Sequence, residues 1–253
     1  MKRLDQRLVD EGLAPSRAKA QQMIDAGEVE IEDDTGQWHL AKRPSQKAAG
    51  RLRLAALSQT LKFVSRGGLK LESALNHLRL NPEGWRCLDI GQSTGGFTDA
   101  LLKAGAKEVA GVDVGHGQLA EALKADHRVL YWEGVHVRDL PTHPELKHWL
   151  SAGPVDLCVI DLSFISLTLA LPPLREILPQ GSRLLALIKP QFEAGAQALN
   201  RRGVVTDPRI LDEAGQRVLQ ALAKYDFSIK DYFLCAVKGS DGNQEFFAFA
   251  VRG

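Results

Sequence analysis

The sequence predicts an α/β protein: a mostly parallel, Rossmann-like sheet of seven strands with the last one antiparallel, preceded by a small N-terminal α/β unit. Three observations predict it. From "RGGLKLESALNHL" onward, apolar runs of strand length alternate with helical segments, and that alternation implies parallel strands joined by helical crossovers on both faces of one sheet. The last two strand candidates are joined by the loop "KGSDGN", which permits a hairpin but no crossover, so the final strand must reverse. The first 45 residues follow another rhythm, and a stretch rich in Pro, Gly, Ser and positive charge separates them from the remainder.

Taken in order, "RLDQRLVDEGLAPSRAKAQQMIDAGEVEIEDD" reads as helix, turn, helix, strand. Leu4, Leu8 and Val9 share one helical face. Ser16 is placed to cap the second helix after Pro15. Ala18, Ala20, Met23 and Ile24 give that helix its apolar side, and Gly27 suits a left-handed stop. "EVEIE" alternates as a half-buried strand does. A unit this small buries little core by itself. The expected organisation is a small front domain over residues 1–45, a basic linker over 46–62 and the large domain over 63–253. The strand candidates of the large domain are "RCLDI" (86–90), "EVAGV" (108–112), "RVLYW" (128–132), "VDLCVI" (155–160), "RLLALI" (183–188), a stretch around "YFLCAV" (232–237) and "EFFAFAV" (245–251).

The first strong motif is "CLDIGQSTGGFTDALLKAG". A strand ends in Asp89, a glycine-containing loop follows and a helix opens near Gly96. Glycines there let a ligand approach the backbone. The next strand ends in Asp113, and an acidic residue at that position suits a ribose diol. The loop is G-x-x-x-G-G, not G-x-G-x-x-G, and no lysine follows it as in a P-loop. A carboxylate at Asp89 repels a pyrophosphate and attracts the cationic sulfonium and amino group of S-adenosylmethionine. The residues expected to hold this donor are Asp89, Gly91, Ser93, Thr94, Gly95, Gly96, Asp113 and Val114.

Four further charged residues fall where a cleft is expected. Lys70 lies in "SRGGLKLESAL", Asp161 ends the fourth strand, Lys189 ends the fifth and Glu245 opens the last. Ligands of open α/β sheets bind outside the carboxyl ends of the strands. A reversed final strand brings its first residue to that same edge. Each residue alone has a bland reading as a solvated charge or a cap; together they place two cations and two anions at one edge.

The chain resembles the TlyA (hemolysin A) family of FtsJ-like ribosomal RNA 2′-O-methyltransferases, which carry an S4-like RNA-binding domain at the front. The resemblance rests on "SRGGLKL", "DIGQSTGGFTD", "VDVGHGQL", "DLSFISL", "LIKPQFE" and "GNQEFF" and covers nearly the whole chain. It implies a catalytic Lys-Asp-Lys-Glu tetrad at Lys70, Asp161, Lys189 and Glu245, S-adenosylmethionine as the cofactor, and cytidine in ribosomal RNA or an assembled subunit as the substrate. Three features depart from the family's usual text: Gln92 stands where a small residue is usual, and "WEGVHVRDL" and "AKRPSQKAAG" differ. A ribose 2′-hydroxyl is a poor nucleophile until its proton has somewhere to go. A lysine accepts that proton only when neutral, and desolvation with a second cation close by works toward that state. Lys189 is thus the expected base, Asp161 its positioning partner, and Lys70 with Glu245 the holders of the target ribose.

Charge distribution supports a polyanionic partner. Residues 1–70 carry a net +4 and the remainder −3, with eight basic and no acidic residues between Ala41 and Lys70. Such a stretch suits RNA phosphates. Arg3, Arg7, Arg17, Lys19 and Arg66 are the expected RNA contacts. Cys87, Cys158 and Cys235 sit in apolar runs without a CxxC, as in reduced cytoplasmic proteins. The seven histidines form no metal-ligand pattern, and the longest charge-free apolar run is too short to span a bilayer. Neither metal nor membrane is expected as a partner. The rival readings are a non-catalytic RNA-binding assembly factor on the same fold and a membrane-active hemolysin.

Overall fold

The structure is a computed structural model that describes residues 2–47, 49–55, 62–239 and 242–253. It divides into two compact units, Met1–Arg66 and Gly67–Gly253.

In the first unit, α1 (Leu4–Asp10) packs on α2 (Arg17–Asp25). Leu4, Leu8, Ala20, Met23 and Val29 are fully buried between them and the strands. Ser16 caps α2 by accepting the Lys19 backbone N–H, and Gly27 adopts φ +70° after its end. The strands are β1 (Val29–Glu32), β2 (Trp38–Leu40) and β3 (Leu52–Leu54), in the antiparallel order β2-β1-β3. The stretch 46–62 is therefore not linker throughout, because β3 lies inside it. "LRL" alternates apolar and basic residues. Its register on β1 sets Arg53 opposite Glu30, where the two side chains pair at 2.7 Å, and Arg51 pairs with Glu32. Of the remaining linker, residues 56–61 lie outside the described residues.

The second unit opens with α3 (Gly67–Leu78) and continues β4 (Arg86–Ile90), α4 (Gly96–Lys103), β5 (Glu108–Asp113), α5 (Glu121–Lys124), β6 (Val129–Glu133), α6 (Pro144–Ser151), β7 (Leu157–Ile160), α7 (Leu171–Ile177), β8 (Arg183–Ile188), α8 (Pro190–Glu193), α9 (Pro208–Lys224), β9 (Phe227–Leu234) and β10 (Phe246–Arg252). One sheet takes all seven strands in the order β6-β5-β4-β7-β8-β10-β9. The pairs from β6 to β8 are parallel, while β10 runs antiparallel to both of its neighbours. Every residue of β4 and β7 is buried; β7 reads as an unbroken apolar run, while β4 carries Arg86 and Asp89 among its apolar residues. One edge strand departs from the expected position: β9 begins at Phe227 and stops at Leu234, so Cys235–Val237 leave the sheet. As an edge strand it exposes Ser228, Ile229 and Lys230, and apolar density does not mark it. No helix among the described residues is long and apolar enough to cross a membrane.

Candidate active site

The loop after β4 is built on left-handed residues. Gly91 has φ +85°, Ser93 +46° and Gly95 +90°. Gly91 must be glycine for a second reason: a Cβ there would stand 2.4 Å from the Asp161 carbonyl oxygen. The loop thus lies against the end of β7. Beside it opens a cavity of about 550 Å³. Asp113, at the end of β5, holds the loop in place: its Oδ2 accepts the Ser93 N–H and its Oδ1 the Gly115 N–H, both at 2.7 Å. Gly91, Ser93, Asp113 and Val114 line the cavity, and Asp161 lines it too. Thr94, Gly95 and Gly96 do not. Gly95 instead caps α4, where a Cβ would meet the Leu123 side chain at 2.2 Å.

Asp89 is also absent from the cavity wall. It is fully buried, and its Oδ2 accepts the Thr98 hydroxyl at 2.7 Å while Oδ1 has no partner. Burial pushes this carboxyl up to about 7, against the Thr98 hydrogen bond and with help from the Asp161 charge. Gln92 turns away from the cavity as well. Its amide donates to Thr98 Oγ1 at 2.9 Å and fills the space over Gly111. The unusual residue of the glycine loop is therefore part of a buried Gln92–Thr98–Asp89 chain, not of the ligand wall.

Sequence reasoning missed much of that wall. Val135, His136 and Val137 after β6 and Leu162, Ser163, Phe164 and Ile165 after β7 line it. They carry no charge signature; only their place past the carboxyl ends of strands points to them. Phe164 stands out, 91% exposed with φ +63°, a conformation rare for an aromatic residue and costly to hold. Its ring centroid is 5.2 Å from that of Phe192.

The four expected charges form two ion pairs. Lys70 Nζ donates to Glu245 Oε2 at 2.6 Å, both side chains being nearly excluded from water. Lys189 Nζ stands 2.5 Å from Asp161 Oδ1 and donates to Ser163 Oγ at 2.9 Å. β10 explains how the pairs share an edge. Phe246 is in register with Ile188, so Glu245 and Lys189, one step outward, leave the sheet side by side. The buried thiol of Cys235 feels the charges of Lys70, Glu245 and Asp161 together. Cys158, inside β7, is no nucleophile, since full burial pushes its thiol up.

In the first unit, the expected RNA-binding residues divide. The buried carboxylate of Asp5 accepts from Arg3 at 3.1 Å, from Arg17 at 3.2 Å and from Gln21 at 2.8 Å. The Arg3 hydrogen bond, most of all, holds it far below the usual carboxylate range. Both guanidiniums remain about half exposed and face outward from a fixed anchor. Arg7 is spent on Glu11 and the Gly50 carbonyl. Lys19 is a correction: it is buried and its Nζ donates to the Phe63 carbonyl at 2.7 Å, so it braces the unit and presents no exposed cation. Arg66 is the last residue of this unit.

The profile of the FtsJ-like methyltransferase family matches residues 63–252, and that of the S4 domain residues 2–32. The chain is similar to the 16S/23S rRNA (cytidine-2′-O)-methyltransferase TlyA of Mycobacterium tuberculosis, with 39% identity over 249 residues, 97% of this chain and 88% of that one. It is similar to Hemolysin A of Brachyspira hyodysenteriae, with 35% identity over 98% of this chain and 99% of that one. A solved Streptococcus thermophilus structure, described as a hemolysin, superimposes with a TM-score of 0.73 at 37% identity and covers 99% of this chain and 88% of its own.

Proposed function

Because the chain belongs to the TlyA/hemolysin A family of FtsJ-like methyltransferases with an S4 domain at the front, we propose that it methylates the 2′-hydroxyl of a cytidine in ribosomal RNA, as free RNA or within an assembled subunit. One observation carries the site assignment: the Lys189–Asp161 ion pair sits at the cavity that the glycine loop and Asp113 define, and Asp161 itself lines that cavity.

The cavity fits S-adenosylmethionine in chemistry. Ile90, Val112, Val137, Leu162 and Ile165 offer apolar walls to a flat purine, and Asp113 brings a carboxylate to where ribose hydroxyls need acceptors. Behind the glycine loop, the buried Oδ1 of Asp89 has no hydrogen-bond partner among the described residues. When bound, the donor supplies an electrophilic methyl group.

The protein's own residues supply the other half of the reaction. Lys189, after releasing one ammonium proton to solvent, receives the 2′-hydroxyl proton at Nζ as the oxygen attacks. Asp161, already 2.5 Å away, stabilises the positive charge that arrives with that proton. The Lys70–Glu245 pair brings one cation and one anion to the same edge; Lys70 offers donors to the sugar, and Glu245 keeps the buried ammonium compensated. Phe164 presents an exposed aromatic face at the cavity mouth. Base stacking on such a face is how proteins hold a nucleotide taken out of its helix. Arg3 and Arg17 on the front unit contribute phosphate contacts.

The test is methyl transfer from labelled S-adenosylmethionine to ribosomal RNA and to subunits isolated from cells lacking this gene, with the product sites mapped. The expected result is label on cytidine 2′-oxygens with the unsubstituted protein and none with Lys189→Ala. Label on bases, or equal labelling by the variant, would overturn the assignment.

A further inference from the structure

The contacts around Lys189 divide into a charge partner and a direction partner. Asp161 Oδ1 is 2.5 Å from Nζ as an ion pair, and this buried oxygen has no hydrogen-bond partner among the described residues. The directional bond of Nζ goes to Ser163 Oγ at 2.9 Å. Coulomb attraction between an ammonium and a carboxylate is nearly independent of rotation about the Cε–Nζ bond. A hydrogen bond is not. An amine acting as a base must aim one lone pair at one proton, so what sets its rotation matters as much as what sets its charge.

The loop that carries Ser163 is itself fixed. Glu193, in the short helix that follows Lys189 in the chain, is 5% exposed. Its Oε2 accepts the Ser166 hydroxyl at 2.6 Å and its Oε1 the Leu167 N–H at 2.7 Å. The 161–167 loop and Lys189 are thereby tied into one piece. Ser163 itself is exposed and fills no core space.

We propose that Ser163 is a positioning residue of the methyl-transfer reaction: its hydroxyl oxygen fixes the rotation of the Lys189 amine, so that the position left free on Nζ faces the target hydroxyl, while Asp161 supplies charge without direction. The inference rests on the reading of Lys189 as the base. It assigns Ser163 no proton of its own; the proton moves from the ribose oxygen to Nζ, and the Nζ–H···Oγ bond is retained throughout.

The test uses single-turnover methyl transfer by the full chain, at saturating labelled S-adenosylmethionine, to ribosomal RNA from cells lacking this gene. Ser163→Ala is expected to slow the transfer step by about 10- to 100-fold, the range that small misplacements of a reacting group cost, with KM for RNA unchanged. Ser163→Thr keeps the hydroxyl and is expected to recover most of the rate. Wild-type rates in Ser163→Ala, a loss confined to KM, or a threonine variant as slow as the alanine one would each overturn the inference while leaving the function intact. If the unsubstituted protein transfers no methyl group to a 2′-oxygen, the functional reading fails and this inference falls with it.

Discussion

Gly91 and Asp161 meet backbone to backbone: there is room for a hydrogen on the Gly91 α-carbon facing the Asp161 carbonyl, and a methyl group there would lie 2.4 Å from that oxygen. The loop that shapes the cavity and the residue that pairs with Lys189 are therefore positioned by the same contact. Gly91→Ala is expected to move Asp161 away from Lys189 and to impose a side chain at φ +85°, a strain of about 1–2 kcal/mol. Activity should fall at least about tenfold, with a lowered melting temperature. Wild-type turnover in this variant would show that the contact yields without consequence.

The Lys70–Glu245 pair is 10% and 2% exposed at its two side chains. Removing one member of such a pair leaves a buried charge without compensation, which costs about 3–5 kcal/mol. Lys70→Met and Glu245→Gln should each be destabilised to that order in chemical denaturation. The double variant should regain part of the stability, since neither charge is then orphaned, but none of the activity. A double variant as inactive and as unstable as the sum of the singles would mean that the two residues do not act as a pair.

Asp89 makes stability depend on pH. Its folded-state carboxyl lies at about 7, raised by burial from 3.8, so the folded protein holds this proton more tightly than the unfolded chain does. The stabilisation linked to it is complete below the unfolded value and disappears as pH rises through about 7. Between pH 5 and pH 7 the slope from this one group is about 1.4 kcal/mol per pH unit at most. Asp89→Asn should remove that slope. Denaturation midpoints of the two proteins at pH 5.5 and 8 measure it, and parallel profiles would exclude Asp89 as the source.

Glu193 offers a graded pair of substitutions. Its two oxygens accept from Ser166 and Leu167, and burial pushes the carboxyl up. Glu193→Gln can keep its carbonyl on the Leu167 N–H and donate its amide to the Ser166 oxygen, so it should fold and turn over close to normally. Glu193→Ala orphans a buried N–H, a loss of about 1–3 kcal/mol, and releases the 161–167 loop. Its rate should fall more than its stability alone explains. Equal behaviour of the two variants, by rate and by thermal melting, would rule out the clamp.

How much of this was legible in the sequence follows from burial. The interior strands β4, β7 and β8 have both faces covered, and their apolar runs announce them nearly to the residue. β3 and β9 have one exposed edge or face, and their alternation of polar and apolar residues is too short or too shallow to separate from loop. Asp161, Lys189 and Glu245 were conspicuous because each charge stands at one end of an apolar run; Lys70, inside α3, has no such mark. Val135, Val137 and Ile165 were not legible, because an apolar residue lining a cavity looks like any other apolar residue. Asp89 and Gln92 show a further limit: the sequence places them at the loop, but only the packing against Thr98 and Gly111 turns them inward.

The position of β10 has a consequence for the order in which the protein is made. β10 lies between β8 and β9, though it is translated after both. Until the ribosome has added it, β9 has no neighbour to join, β8 keeps an open side, and Lys70 has no Glu245. A nascent chain that has not reached Glu245 can complete the cavity wall but not the Lys70–Glu245 pair beside it.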